Sequence, residues 1–243
     1  MSHRGGRFTK SPAVYGWIWS ALEGGLLEEL HLECTRNEVN LERKLLTSNT
    51  LVKLTLSREY CLLVDRVFLP ALKSLSLLTV GGFDYDNYRR LIKGCPVLEE
   101  LLITDIAAHA LDPYPPCATA SVKSPSIKRL VISLDMPYDS PHKHSFQDFY
   151  NQCYVKAPGL VYLDYSSHVF ADYRFVDLDS LLHVRLNLKL WDHHKHFLSD
   201  LTKLASGISN ITTLHLSPDS LEVRRYSMVS LSLSLQFNLL LAC

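Results

Sequence analysis

Leu72-Lys73-Ser74-Leu75-Ser76-Leu77 puts leucine at the first, fourth and sixth places of six residues. Side chains of an extended strand alternate between faces with a period of two, so Leu75 and Leu77 share one face and Ser74 and Ser76 the other. Leu72 stands where the chain turns into the strand and points inward with the two leucines. The same spelling, with Ile, Val or Tyr in place of some leucines, recurs at 27–32, 51–56, 98–103, 127–132, 160–165, 181–186 and 211–216. The first residues of the eight copies lie 24, 21, 26, 29, 33, 21 and 30 positions apart.

Each copy offers about three inward residues, too few to close a core alone, so neighbouring copies must stack edge to edge. An interval averaging about 26 residues falls in the leucine-rich-repeat range. The expected fold class is therefore α/β: a leucine-rich-repeat solenoid with a single parallel sheet on the concave side and helices and irregular segments on the convex side. At roughly 1.5–3 kcal/mol per fully buried Leu or Ile, the aliphatic interior outweighs any single polar contact. Residues 1–26 read as an N-terminal segment with a helical cap over 12–24 carrying Trp17, Ile18, Ala21 and Leu22. Residues 27–223 form the array, and 224–243 an atypical tail. Strict Ser/Leu alternation over 230–235 fits a last strand; it equally fits aberrant read-through sequence.

Return segments are expected as helices over 84–94 (Tyr85, Tyr88, Leu91 and Ile92 inward, Gly94 as stop), 196–207 (Phe197, Leu201, Leu204 and Ala205 inward, Gly207 as stop) and 38–46 (Val39, Leu41, Leu45, Leu46). Val122-Lys123 and Tyr154-Val155 fit extra strands, each pairing with a segment later in the chain. The gap 104–126, with Pro113, Pro115 and Pro116, reads as the longest mobile loop. The Asn or Cys that ties successive loops in the best-known repeat is replaced by Thr35, Glu59, Val80, Ile106, Asp135, His168, Lys189 and Asp219. An irregular array without those side-chain ties is the expectation.

Hydrophobic content of 47% with 21% charged residues suits a folded chain, and zero formal net charge without a basic stretch speaks against nucleic acid as a partner. No run of eighteen apolar residues suggests a membrane span. Cysteines 34, 61, 95, 117, 153 and 243 make no C-x-x-C, and residues 1–12 hold no apolar core of signal-peptide length. Reduced cysteines in a cytoplasmic or nuclear protein are expected.

Asp192-His193-His194-Lys195-His196 gathers three imidazoles and a carboxylate that could ligate zinc. No second ligand set stands at a recognised spacing, and a solvated loop is the expected reading, with no metal and no cofactor. His142 and His144 read the same way. No G-x-S-x-G elbow or phosphate-binding loop occurs, and Gly81-Gly82 lacks the Lys of a P-loop. The chain is read as non-enzymatic.

Partners are expected on the outward strand face, at the third and fifth positions of each copy. These are Glu29/His31, Lys53/Thr55, Ser74/Ser76, Glu100/Leu102, Arg129/Val131, Tyr162/Asp164, His183/Arg185 and Thr213/His215. Glu29, His31, Lys53, Glu100, Arg129, Tyr162, Asp164, His183 and Arg185 are the candidate partner-binding residues. Tyr162 and Arg129 come first, because Tyr and Arg often anchor interfaces.

Several phrases carry a family resemblance. Phe68-Leu69-Pro70-Ala71-Leu72-Lys73-Ser74-Leu75, Lys93-Gly94-Cys95-Pro96-Val97-Leu98-Glu99-Glu100-Leu101, Ser124-Pro125-Ser126-Ile127-Lys128-Arg129-Leu130 and Leu214-His215-Leu216-Ser217-Pro218-Asp219-Ser220-Leu221-Glu222-Val223 resemble the plant F-box proteins that carry leucine-rich repeats and often an FBD domain. The likeness covers about residues 14–223. It implies the substrate-recognition half of a ubiquitin-ligase adaptor, with an unknown protein substrate on the concave face. No F-box is recognised in the sequence and the tail departs from the FBD pattern, so Skp1 binding is not expected. The alternatives are a truncated or partial gene product without independent activity, or a metal-dependent enzyme using His193, His194 and His196.

Overall fold

All eight copies become strands, each beginning at the third residue of its pattern. In chain order they are β1 (Glu29–Glu33), β3 (Lys53–Ser57), β5 (Ser74–Leu78), β6 (Glu100–Ile106), β8 (Arg129–Asp135), β10 (Tyr162–His168), β12 (His183–Lys189) and β13 (Thr213–Leu216). They form one sheet in that same order, and every neighbouring pair is parallel. The computed structural model describes residues 12–33, 39–40, 45–57, 60–61, 66–78, 85–106, 121–135, 152–169, 172–190 and 201–226.

The register never slips. Glu29, Lys53, Ser74, Glu100, Arg129, Tyr162, His183 and Thr213 stand opposite one another from strand to strand. A backbone device repeats at every junction: the carbonyl of a copy's second residue accepts from the N–H groups of the second and third residues of the next copy. Glu28 receives Val52 and Lys53, Val52 receives Lys73 and Ser74, and the series ends with Leu182 receiving Thr212 and Thr213, at 2.7–3.1 Å throughout. A one-residue slip would turn every leucine to the wrong face, so burial and ladder enforce the same register.

The inward positions behave as the pattern demands. Leu54, Leu56, Leu75, Leu77, Leu101, Ile103, Leu130, Ile132, Leu163 and Tyr165 are buried, as are the first-position residues Leu51, Leu72, Leu98, Ile127, Leu160 and Leu181. Leu27, Leu30 and Leu32 are only partly covered, because β1 has a strand on one side only.

A second layer lies behind the sheet. β7 (Ser121–Lys123), β9 (Gln152–Lys156) and β11 (Asp172–Val176) make a three-stranded parallel sheet, and β2 (Val39–Asn40) pairs with β4 (Tyr60–Cys61). The two extra strands read from Val122-Lys123 and Tyr154-Val155 are therefore present, and they pair with each other in a layer of their own. Tyr173 and Phe175 of β11 meet Tyr165 of the main sheet edge-on, with ring centroids 6.4 and 6.5 Å away. This aromatic cluster joins the layers where aliphatic side chains do so elsewhere.

Helices fill the rest of the return layer. Helix α1 spans Pro12–Glu23, α2 Tyr85–Lys93, α3 Leu201–Gly207 and α4 Pro218–Tyr226. α2 buries Tyr88, Leu91 and Ile92, and α3 buries Leu201 and Leu204, the faces expected from sequence. Phe197 lies outside the described residues. The glycines after these helices serve close approach: a Cβ on Gly94 would come within 2.5 Å of the Val67 side chain, and one on Gly207 within 2.5 Å of the Phe175 Cβ.

Three expectations need correction. The helix over 38–46 is not formed, since 39–40 is extended and Leu45–Thr47 is a single 3-10 turn. Leu45 and Leu46 are buried all the same, so the apolar residues reach the core without helical spacing. In α1, Trp17 is 75% exposed rather than packed on the array, leaving Leu22 as the residue against the core. Thirdly, side-chain ties do exist without the Asn or Cys. Thr50 Oγ1 donates to the Leu27 carbonyl and Thr212 Oγ1 to the Leu182 carbonyl, each at 3.0 Å. Residues 107–120 of the expected loop and 227–243 of the tail lie outside the described residues.

Candidate functional site

The face opposite the core is built by the alternation that buries the leucines. With positions four and six inward, positions three, five and seven must point out, and the parallel register lines each position into a row across the sheet. The position-three row holds Glu29, Lys53, Glu100, Arg129, Tyr162 and His183; the position-five row holds His31, Asp164 and Arg185. Glu29, His31, Lys53, Glu100, Arg129, His183 and Arg185 are exposed or partly exposed, and Tyr162 and Asp164 are half-buried. All nine candidate residues thus occupy one face.

Within the rows, contacts divide the face. At one end Lys53 Nζ lies 3.7 Å from Glu29 Oε2, and Ser74 Oγ donates to Glu100 Oε2 at 3.4 Å. Further on, the Arg129 guanidinium sits 4.1 Å from the centroid of the Tyr162 ring, a cation–π stack between directly paired residues of β8 and β10. The Tyr162 hydroxyl donates to Asp164 Oδ2 at 3.4 Å along the same strand. The two residues that rank first from sequence are in contact, and Asp164 orients the tyrosine from its other end.

The six-residue pattern does not reach the position-seven row. Ser133, Ser166 and Asn187 stand there in register, with Asn187 Nδ2 donating to Ser166 Oγ at 3.1 Å. These strands run past the end of the pattern, which is why a search confined to six positions misses this row. Beside Arg129, the half-buried Leu102 and Val131 are paired across β6 and β8, giving the polar face a small apolar centre.

Nucleophiles in the interior are not poised for chemistry. Burial pushes the thiols of Cys95 and Cys153 up to about 12, and the Tyr165 hydroxyl is raised well above its usual value, chiefly by burial. A thiol that holds its proton to about 12 is inert near neutrality. The 192–196 histidine cluster lies outside the described residues. Among the described residues, no helix is long and apolar enough to cross a membrane.

Comparison with known proteins gives a consistent set of relatives. One F-box/LRR-repeat protein of Arabidopsis thaliana is 44% identical over 90% of this chain and 49% of its own length. A second of the same description is 41% identical over 88% of this chain and 46% of its own length, and a third is 33% identical over 90% and 50%. The chain spans about half the length of the curated relatives it matches. No protein-family model matches the chain, and no solved structure matches it.

Proposed function

The chain belongs to the plant F-box/LRR-repeat family, and on that premise we propose that it is a non-enzymatic protein-interaction module serving substrate recognition for a ubiquitin ligase. In this reading the eight-stranded parallel sheet is the concave side of a leucine-rich-repeat solenoid, and residues 27–223 are the array. The observation that carries the proposal is the alignment of nine candidate side chains in two unslipped rows on one face, with the Arg129–Tyr162 stack near its middle. A repeated surface of this kind offers area and patterned side chains in place of a catalytic pocket. Its partner is a protein substrate. Action in the cytoplasm or nucleus fits the cysteine usage.

Photo-crosslinking tests the reading. A benzophenone side chain installed at Tyr162 is expected to give discrete protein adducts in plant extract, lost when Arg129→Ala is added. The same group at Lys203, exposed on α3, is expected to give few. Equal labelling from both positions would contradict the assignment of the face. Purified Skp1 is expected not to be retained by residues 1–243; robust retention would place a Skp1-docking surface within them.

A further inference from the structure

The charged side chains of the outward face are not mixed evenly. Over β1 to β6 the third, fifth and seventh positions carry Glu29, Glu33 and Glu100 against Lys53, with His31 beside them. Over β8 to β13 they carry Arg129, Arg185, His183 and His215 against Asp164. The sign reverses at the β6–β8 boundary, and the apolar pair Leu102–Val131 stands on that boundary.

The cations of the second half are also uncommitted. Arg129 faces Glu100 across the ladder, yet its guanidinium stacks on Tyr162, and Glu100 takes a hydrogen bond from Ser74. Asp164, the one carboxylate in the group, receives the Tyr162 hydroxyl. Among the described residues neither Arg129 nor Arg185 has an ion pair. A guanidinium on an aromatic ring keeps its in-plane N–H donors available, and such donors suit carboxylates in bidentate geometry.

We infer that β6 to β13 bind an extended acidic polypeptide segment, with an apolar side chain over Leu102 and Val131 and carboxylates over Arg129, Arg185 and His215. This deepens the interaction reading above and rests on it. Strands lie about 4.8 Å apart, so Leu102 and Arg185, three strands distant, are separated by about 14 Å. An extended peptide crossing the strands advances about 3.3 Å per residue. The apolar anchor and the carboxylate over Arg185 therefore stand about four residues apart in the bound segment. The Arg129 site lies between them, one strand from the anchor. An apolar centre with charged surroundings is the usual anatomy of a specific interface, and the charge pattern selects partners and speeds encounter.

A phage-displayed library of random peptides about a dozen residues long, panned on the full chain, tests this. Such peptides are long enough to cross the whole sheet. Enriched sequences are expected to carry an apolar residue with Asp or Glu about four positions away. A synthetic peptide of that pattern should lose about tenfold or more in affinity on Arg185→Glu, and again on Arg129→Glu, while circular dichroism stays unchanged. Higher salt should weaken it. Enrichment that is abolished by Val131→Arg but shows no acidic bias would overturn the charge inference and leave the interaction reading standing. An absence of any face-dependent enrichment would overturn both. A single-stranded oligonucleotide that binds more tightly than the acidic peptides would also overturn the inference, since arginine beside tyrosine can stack on bases.

Discussion

Two buried thiols and one glycine show how tightly single positions are held. Burial keeps the Cys95 and Cys153 protons on to about 12, against the usual 9.0. A thiol with a raised folded-state pKa contributes stability that is complete below about pH 9 and is lost as pH rises from there toward 12. Iodoacetamide at pH 8 is expected to leave both residues unmodified in the folded chain and to modify both in urea, read by peptide mass mapping. Modification of Cys153 without denaturant would show that the interior opens far more readily than its burial implies. Gly94 admits no Cβ against Val67. Gly94→Ala is therefore expected to cost about 1–3 kcal/mol through overpacking, measured by urea unfolding. From sequence alone this glycine reads as a helix stop. Its Cβ-free approach to another loop is invisible to local pattern, because Val67 is 27 positions away.

Among the elements, the strands are legible in the sequence and the return segments only partly so. Alternation within six residues depends on nothing beyond the strand itself, and all eight strands fall where the leucines put them. α2 is legible for a similar reason, its Tyr88, Leu91 and Ile92 lying at helical spacing on one face. Residues 38–46 have enough leucines for the same inference, but Val39–Asn40 instead pairs with Tyr60–Cys61. That competing partner belongs to the next return segment, so tertiary pairing overrides local periodicity there. α4 reads from sequence as the end of the last repeat. Its Ser220 hydroxyl, buried, donates to the Leu186 carbonyl at 3.0 Å and accepts from the Leu188 N–H at 2.7 Å, tying the helix to β12. Ser220→Ala strips a partner from two backbone groups and is expected to cost about 1–3 kcal/mol. Urea melts should also separate strand positions: Leu130→Ala, fully buried between β6 and β10, about 2–5 kcal/mol, and Leu30→Ala on the partly covered β1 clearly less. Equal losses would mean that the first strand is shielded as well as the middle ones.

At the scale of the whole molecule, one repeated register both closes the core and sorts the outward side chains into rows. The candidate residues can be chosen from sequence because period-two alternation assigns each of them a face. Their mutual arrangement cannot. That Arg129 stacks on Tyr162 in preference to pairing with Glu100 depends on rotamers, and that the two are neighbours depends on the register between copies 33 residues apart. The charge reversal along the face likewise emerges only when the rows are laid side by side. Everything functional argued for this chain presumes that the eight strands follow one another across a single parallel sheet. Spin labels at positions 29 and 213, on the first and last strands, measure that directly by pulsed electron resonance. Seven strand steps of about 4.8 Å predict a separation of roughly 30–35 Å; a distance under about 20 Å would mean that the strands do not succeed one another in order, and would contradict the account.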